Sequence, residues 1–208
     1  VSPSTAAEKT QYRQDSQKQL AEIIVLRDRL TGQSIEQWAD FEFRSALTLI
    51  AAGDEQYSYG NYIESLASFK QALQQLKTLQ TLGEEKYQQA LATGTGAIEN
   101  AAIGDPAIAS AAANLAMAVD ASDSRSIELN QRATALPQLV EALQNAEQQL
   151  AAQQLQNAKS YYQQAVAIDS KHQKAADGLV ATQRAITEQS FRRSMSRGFA
   201  ALKQNRFP

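Results

Sequence analysis

Few side chains in this 208-residue chain are suited to covalent or acid–base chemistry, and those few lack the neighbours such chemistry needs. There is no cysteine, which excludes disulfides, thiolate metal ligands and a cysteine nucleophile. The single histidine, His172, would have to be the base of any Ser-His-Asp arrangement. It stands in the polar run Lys171-His172-Gln173-Lys174 and reads as a solvated turn residue. Metal sites want clusters of His, Cys or carboxylates. Asp120 with Asp123 and Glu84 with Glu85 come nearest, and both suit helix starts, where negative charge complements the dipole. Thr93-Gly94-Thr95-Gly96 has the glycines of a phosphate loop but not the Gly-Lys-Ser/Thr that must follow, and it falls inside a helical pattern. None of the 22 acidic residues is marked as one of a general acid–base pair. The expectation is a chain that is not an enzyme and holds no cofactor or metal.

Charge is more informative by region than in sum. The net charge is only −2, which gives no overall electrostatic reason to bind nucleic acid. Residues 33–66 nevertheless carry Glu36, Asp40, Glu42, Asp54, Glu55 and Glu64 against Arg44 alone. Residues 184–208 carry Arg184, Arg192, Arg193, Arg197, Lys203 and Arg206 against Glu188 alone. The basic patch Arg192, Arg193 and Arg197 suits a solvated helix face or a contact with further repeats better than nucleic acid, because no aromatic stacking platform accompanies it. No apolar run reaches the length of a membrane span, and Val1-Ser2-Pro3-Ser4 has no targeting character.

The elements that position these residues are expected to be helices. Ala supplies 37 residues and Gln 27, types that cost little in a helix, while Ala packs poorly in sheets. An amphipathic helix is expected over about 5–30, with Leu20, Ile23, Leu26 and Leu30 on its apolar side. Ser34-Ile35-Glu36-Gln37 reads as a capping box opening a second helix to about Tyr59, and Gly60-Asn61 as a turn into a third. Thr81-Leu82-Gly83-Glu84 has the same capping signature and is expected to divide that stretch near Leu79. Gly104-Asp105-Pro106 marks a boundary, with Gly as left-handed stop and Asp as cap. Helices then follow to Val119, from Ser124 to Ala152 with a kink or restart at Pro137, from Leu155 to Ile168, and from a capping box at Ser170-Lys171-His172-Gln173 towards Lys203.

A repeat runs through these helices. Gly60-Asn61-Tyr62 is followed by Ser65, Phe69, Ala72 and Leu73; Gly104-Asp105-Pro106 by Ala109, Ala113, Ala116 and Met117; Gln153-Gln154-Leu155 by Ala158, Tyr162, Ala165 and Val166. Asn205-Arg206-Phe207 opens a fourth copy. Gly53, Ala97, Ala146 and Gly198 each precede the turn position by seven residues. This pattern resembles the tetratricopeptide repeat, with copies 44, 49 and 52 residues apart rather than the family's usual length of about 34. The early Trp of the family is missing, and Ala113 replaces its aromatic in the second copy. The resemblance implies an all-α, right-handed stack of antiparallel helix pairs (a TPR-like solenoid) with long helices. Residues 1–33 would be a helical cap or stalk, and residues 34–208 the repeat domain, truncated at its C-terminal end.

In that family, ligands lie in a groove formed by first helices. Carried over by position, the groove candidates are Ile50, Asp54 and Tyr57; Gly94, Ile98 and Ala101; Leu143, Glu147 and Leu150; and Met195, Phe199 and Leu202. The Lys and Asn that clamp a peptide carboxylate in some members are absent, so the resemblance implies a different protein or peptide partner. The expected function is a non-catalytic protein–protein interaction module or scaffold within a larger protein, with a spacer or stalk as the alternative. A bacterial periplasmic or envelope location behind an upstream anchor is expected, with the cytoplasm as alternative. A homo-oligomer is compatible with this reading.

Overall fold

The computed structural model describes residues 3–203, with side chains from Thr5 onward. Among them are seven α-helices and no strand. They are α1 (Pro3–Gly32), α2 (Asp40–Ser58), α3 (Tyr62–Asn100), α4 (Asp105–Val119), α5 (Ser124–Ala151), α6 (Leu155–Ile168) and α7 (Gln173–Lys203), with a 3-10 turn at Ile35–Gln37. The chain divides into two compact units: Val1–Ala92 with Ala112–Ile127, and Thr93–Ala111 with Glu128–Pro208. The proposed fourth repeat opening at Asn205-Arg206-Phe207 lies outside the described residues.

The core of the first unit joins α1, α2 and α3. Ile23 and Leu30 from α1, Ile35 from the turn, Phe43, Ala46 and Ile50 from α2, and Phe69, Ala72, Leu73, Leu76 and Leu79 from α3 are buried together. Close approach is possible because α2 offers Gly53 to the ring of Phe69: a Cβ there would sit 2.5 Å from a ring carbon. In the second unit α6 packs on α7, and Gly178 faces Tyr162 in the same way, with a Cβ at 2.2 Å. The aligned positions Ser65, Phe69, Ala72, Ala109, Ala113, Ala116, Ala158, Tyr162 and Ala165 are all no more than 5 % exposed. Two aligned turn positions, Gly60 (φ 78°) and Gln153 (φ 58°), are left-handed and close their helices alike: Asn61 N–H bonds the Gln56 carbonyl, and Gln154 N–H that of Gln149.

Several expected helix ends lie elsewhere. Ser34 is itself left-handed (φ 51°), makes no side-chain cap bond, and leads only into the short turn, so α2 begins at Asp40. Thr81–Glu84 does not divide the chain: α3 runs 39 residues unbroken. Thr81 Oγ donates back to the Lys77 carbonyl, Glu84 accepts from Gln88, and Gly83 makes room for Trp38, whose ring carbon would lie 2.9 Å from a Cβ there. After α3 the left-handed residue is Ala101 (φ 49°), not Gly104. Asp105 opens α4, but its carboxylate turns back to accept from Ala102 N–H (2.6 Å) and Asn100 (2.7 Å). Helix α5 passes through Pro137 without a restart.

Candidate interaction surfaces

In the first unit, Phe41, Glu42 and Ser45 of α2 and Gln74, Gln75, Thr78, Leu79 and Leu82 of α3 line an open groove of about 300 Å³. Phe41 is 82 % exposed on its wall. The Oε1 of Gln75 is buried and has no hydrogen-bond donor. Asp40 is paired with Arg44 at 2.9 Å, whereas Glu42 has no cation partner among the described residues. The sequence-based groove residues lie elsewhere: Ile50 is in the core, where no ligand reaches it, Asp54 is exposed, and Tyr57 is half-buried with its ring edge-on to Tyr62.

A polar cluster fixes the Asp120–Asp123 turn in the same unit. Tyr87 and Ser126 hydroxyls lie 3.1 Å apart, and Ser126 Oγ donates to the Ala116 carbonyl. Burial raises the Tyr87 pKa above its usual value. Arg125 grips Asp123 with two nitrogens and, with the Arg125 backbone N–H, holds that carboxyl well below the usual carboxylate range. Bonds from the Ser122 hydroxyl and N–H lower Asp120 likewise. These acids serve the turn and form no metal cluster with other described residues.

In the second unit His172 is fully buried, contrary to the solvated turn residue that its polar neighbours suggest. Its Nδ1 accepts from the Ala175 N–H (3.2 Å), so the ring, not Ser170, caps α7. That bond leaves Nε2 as the protonated nitrogen, which donates to the Ile98 carbonyl (3.1 Å). Ile98 lies in the last turn of α3, where a carbonyl has no partner within its own helix. One imidazole therefore satisfies two helix ends. Beside it Arg132, only 16 % exposed in its side chain, bridges Glu99 (2.6 Å) and Asp169 (2.8 Å). Burial works against the Arg132 charge, but its two carboxylate bonds outweigh that and raise its pKa.

Of the groove residues expected here, Ile98, Ala101 and Leu143 are core and unavailable to a peptide, and Gly94 is also buried. Glu147 is exposed but engaged by Lys174 at 2.7 Å, and Leu150 is half-buried. Met195, Phe199 and Leu202 are exposed on α7 together with Phe191, a residue that the repeat register did not pick out. The basic patch lies on the same stretch: Arg192 pairs with Glu188, while Arg193 and Arg197 are exposed. Open apolar surface among the described residues thus includes the α2–α3 groove of the first unit, with Glu42 in its lining, and the end of α7 in the second. No described helix is long and apolar enough to cross a membrane. Comparison with models of known families, with curated proteins and with solved structures finds no match.

Proposed function

We propose that this chain is a non-catalytic protein-binding module, a helical repeat of the tetratricopeptide kind, whose α2–α3 groove receives an amphipathic segment of a protein partner. The observation that carries the reading is the groove itself, where the exposed aromatic Phe41 stands with Leu79 and Leu82 in one open, largely apolar lining. Exposed aromatics of this sort act as anchors in interfaces. The repeat assignment is supported by the burial of the aligned small positions Ser65, Ala72, Ala109, Ala116, Ala158 and Ala165. Panning a displayed peptide library against the chain tests the reading. Selected peptides should share a large apolar or aromatic residue, and should lose binding to Phe41→Asp while its circular dichroism is unchanged. Peptides that bind the variant equally well would remove the groove from the account. The 39 residues of unbroken α3 favour a second reading, a spacer that sets distance. Under that reading panning selects nothing for the groove.

A further inference from the structure

No described residue of α7 after Thr182 is buried, and residues 187–200 are exposed without exception. About four turns of helix therefore stand clear of the α6–α7 packing. Their side chains are nevertheless sorted by side. Phe191, Met195, Phe199 and Leu202 are 64, 44, 61 and 54 % exposed, and their spacing of four, four and three puts them within an arc of about 80°. Counted at about 100° per residue, Arg192 and Lys203 fall just beyond one edge of that arc, and Arg193 and Arg197 roughly opposite it. Ser194, Gly198 and Ala201 lie beyond the other edge and carry no charge. Glu188 stands at the N-terminal end of the stripe, where it is paired with Arg192. An exposed pair of this kind contributes little and is readily exchanged for another partner.

A helix with large apolar side chains along one side, and cations at its edge and on the opposite side, has the pattern that lies in the plane of an anionic bilayer. We propose that residues 188–203 form a membrane-surface helix that binds bilayers containing anionic phospholipid. The stripe sinks about 5–10 Å, to the boundary of headgroups and acyl chains, and the helix lies on the membrane without crossing it. Arg192 and Lys203 flank the buried side, and their long stems let the charges reach the headgroup phosphates. The placing of the other cations decides between occupants. A protein groove that enclosed the stripe would leave Arg193 and Arg197 pointing away from it, beyond the reach of a direct pair. A charged plane acts at longer range: its potential extends over a Debye length of about 8–10 Å, close to the diameter of the helix. Cations on every side of the helix therefore add to the attraction. Two copies laid stripe to stripe would instead bring together segments that each carry five cations against Glu188 alone over residues 184–203.

Flotation of the whole chain with lipid vesicles tests this. With vesicles of phosphatidylglycerol and phosphatidylcholine in equal parts, the chain should float at low salt and be released as salt rises, because salt screens the attraction. Vesicles of phosphatidylcholine alone should leave it behind. Replacing both rings, Phe191→Ser with Phe199→Ser, should weaken the association about tenfold or more, since it removes apolar area from the interface. Arg192→Gln with Lys203→Gln should weaken it by up to about 25-fold, about fivefold for each cation near the surface. All four positions are exposed, so the circular dichroism of both variants should match that of the wild type. A chain that does not float with the anionic vesicles overturns the proposal. Flotation that survives the two serines overturns it as well, because the cations would then adhere without the stripe. Equal flotation with phosphatidylcholine alone would remove the cations from the account and refute it in the same way. A chain that ignores both vesicles but gains mass with concentration in sedimentation velocity, and loses that gain in the serine variant, would assign the stripe to a second copy instead. The α2–α3 groove takes no part in this binding, so none of these outcomes decides whether the groove receives a peptide.

Discussion

Helix α7 contains two glycines that should respond oppositely to the same substitution. At Gly178 a Cβ would meet three ring carbons of Tyr162 at 2.2, 2.5 and 2.7 Å, and that ring is itself only 5 % exposed. At Gly198 nothing lies within 4 Å. Exchanging glycine for alanine inside a helix gains about 0.5–1 kcal/mol from backbone entropy at either site. Only Gly178→Ala must also push a packed ring aside, which costs about 1–3 kcal/mol. The net expectation is that Gly198→Ala stabilises slightly, less near the helix end. Gly178→Ala destabilises by up to about 2 kcal/mol, and the two variants differ by about 1–3 kcal/mol. Hydrogen exchange of the α6 and α7 amides is the suitable assay, since it reads this helix pair locally. Adding Tyr162→Leu should give Gly178→Ala room and recover part of its loss in a double-mutant cycle. If both alanines stabilise α7 equally, the close approach of α6 and α7 through Gly178 is refuted.

Replacing Arg132 by Leu should cost about 3–5 kcal/mol in urea unfolding, because Asp169 keeps its buried charge without a cation. His172→Ala should cost about 2–4 kcal/mol by losing both helix-end bonds, and His172→Asn should recover the N-cap share. Gln153→Gly should raise stability by about 1 kcal/mol by relieving a left-handed side-chain residue. Because the Tyr87 pKa is raised in the folded chain, its neutral form stabilises fully below about pH 10, and that contribution is lost as pH rises through the folded value. Tyr87→Phe should therefore flatten the alkaline end of the melting-temperature profile.

The helical composition and the buried small positions were legible because their physics is local: a small residue suits a place where another helix comes close, and Ala109, Ala116, Ala158 and Ala165 are fully buried. The turns at Gly60 and at Gln153 were legible from the same register. Helix ends were less so. Thr81-Leu82-Gly83-Glu84 satisfies a capping rule that looks at four residues, yet whether a helix stops there depends on Trp38, which arrives from another segment and fills the space over Gly83. His172 shows the same limit more sharply, since a polar sequence context says solvent while its partner carbonyl lies 74 residues away. Carrying groove positions over from the resembled family brought Ile50, Ile98 and Leu143 into the list, and these side chains serve the core instead. The α2–α3 groove escaped notice because Phe41 and Gln75 belong to different helices and share no periodicity.

The bond from His172 to Ile98 also has a bearing on time. Closing a loop of that length costs entropy that grows with the logarithm of its span, and nothing is gained until both helix ends are already formed. The contact therefore belongs to the late side of the folding barrier, where a lost interaction shows itself in the rate of opening rather than in the rate of assembly. The start of α7 is held as a latch is: it contributes little to getting there and much to how long the helix stays.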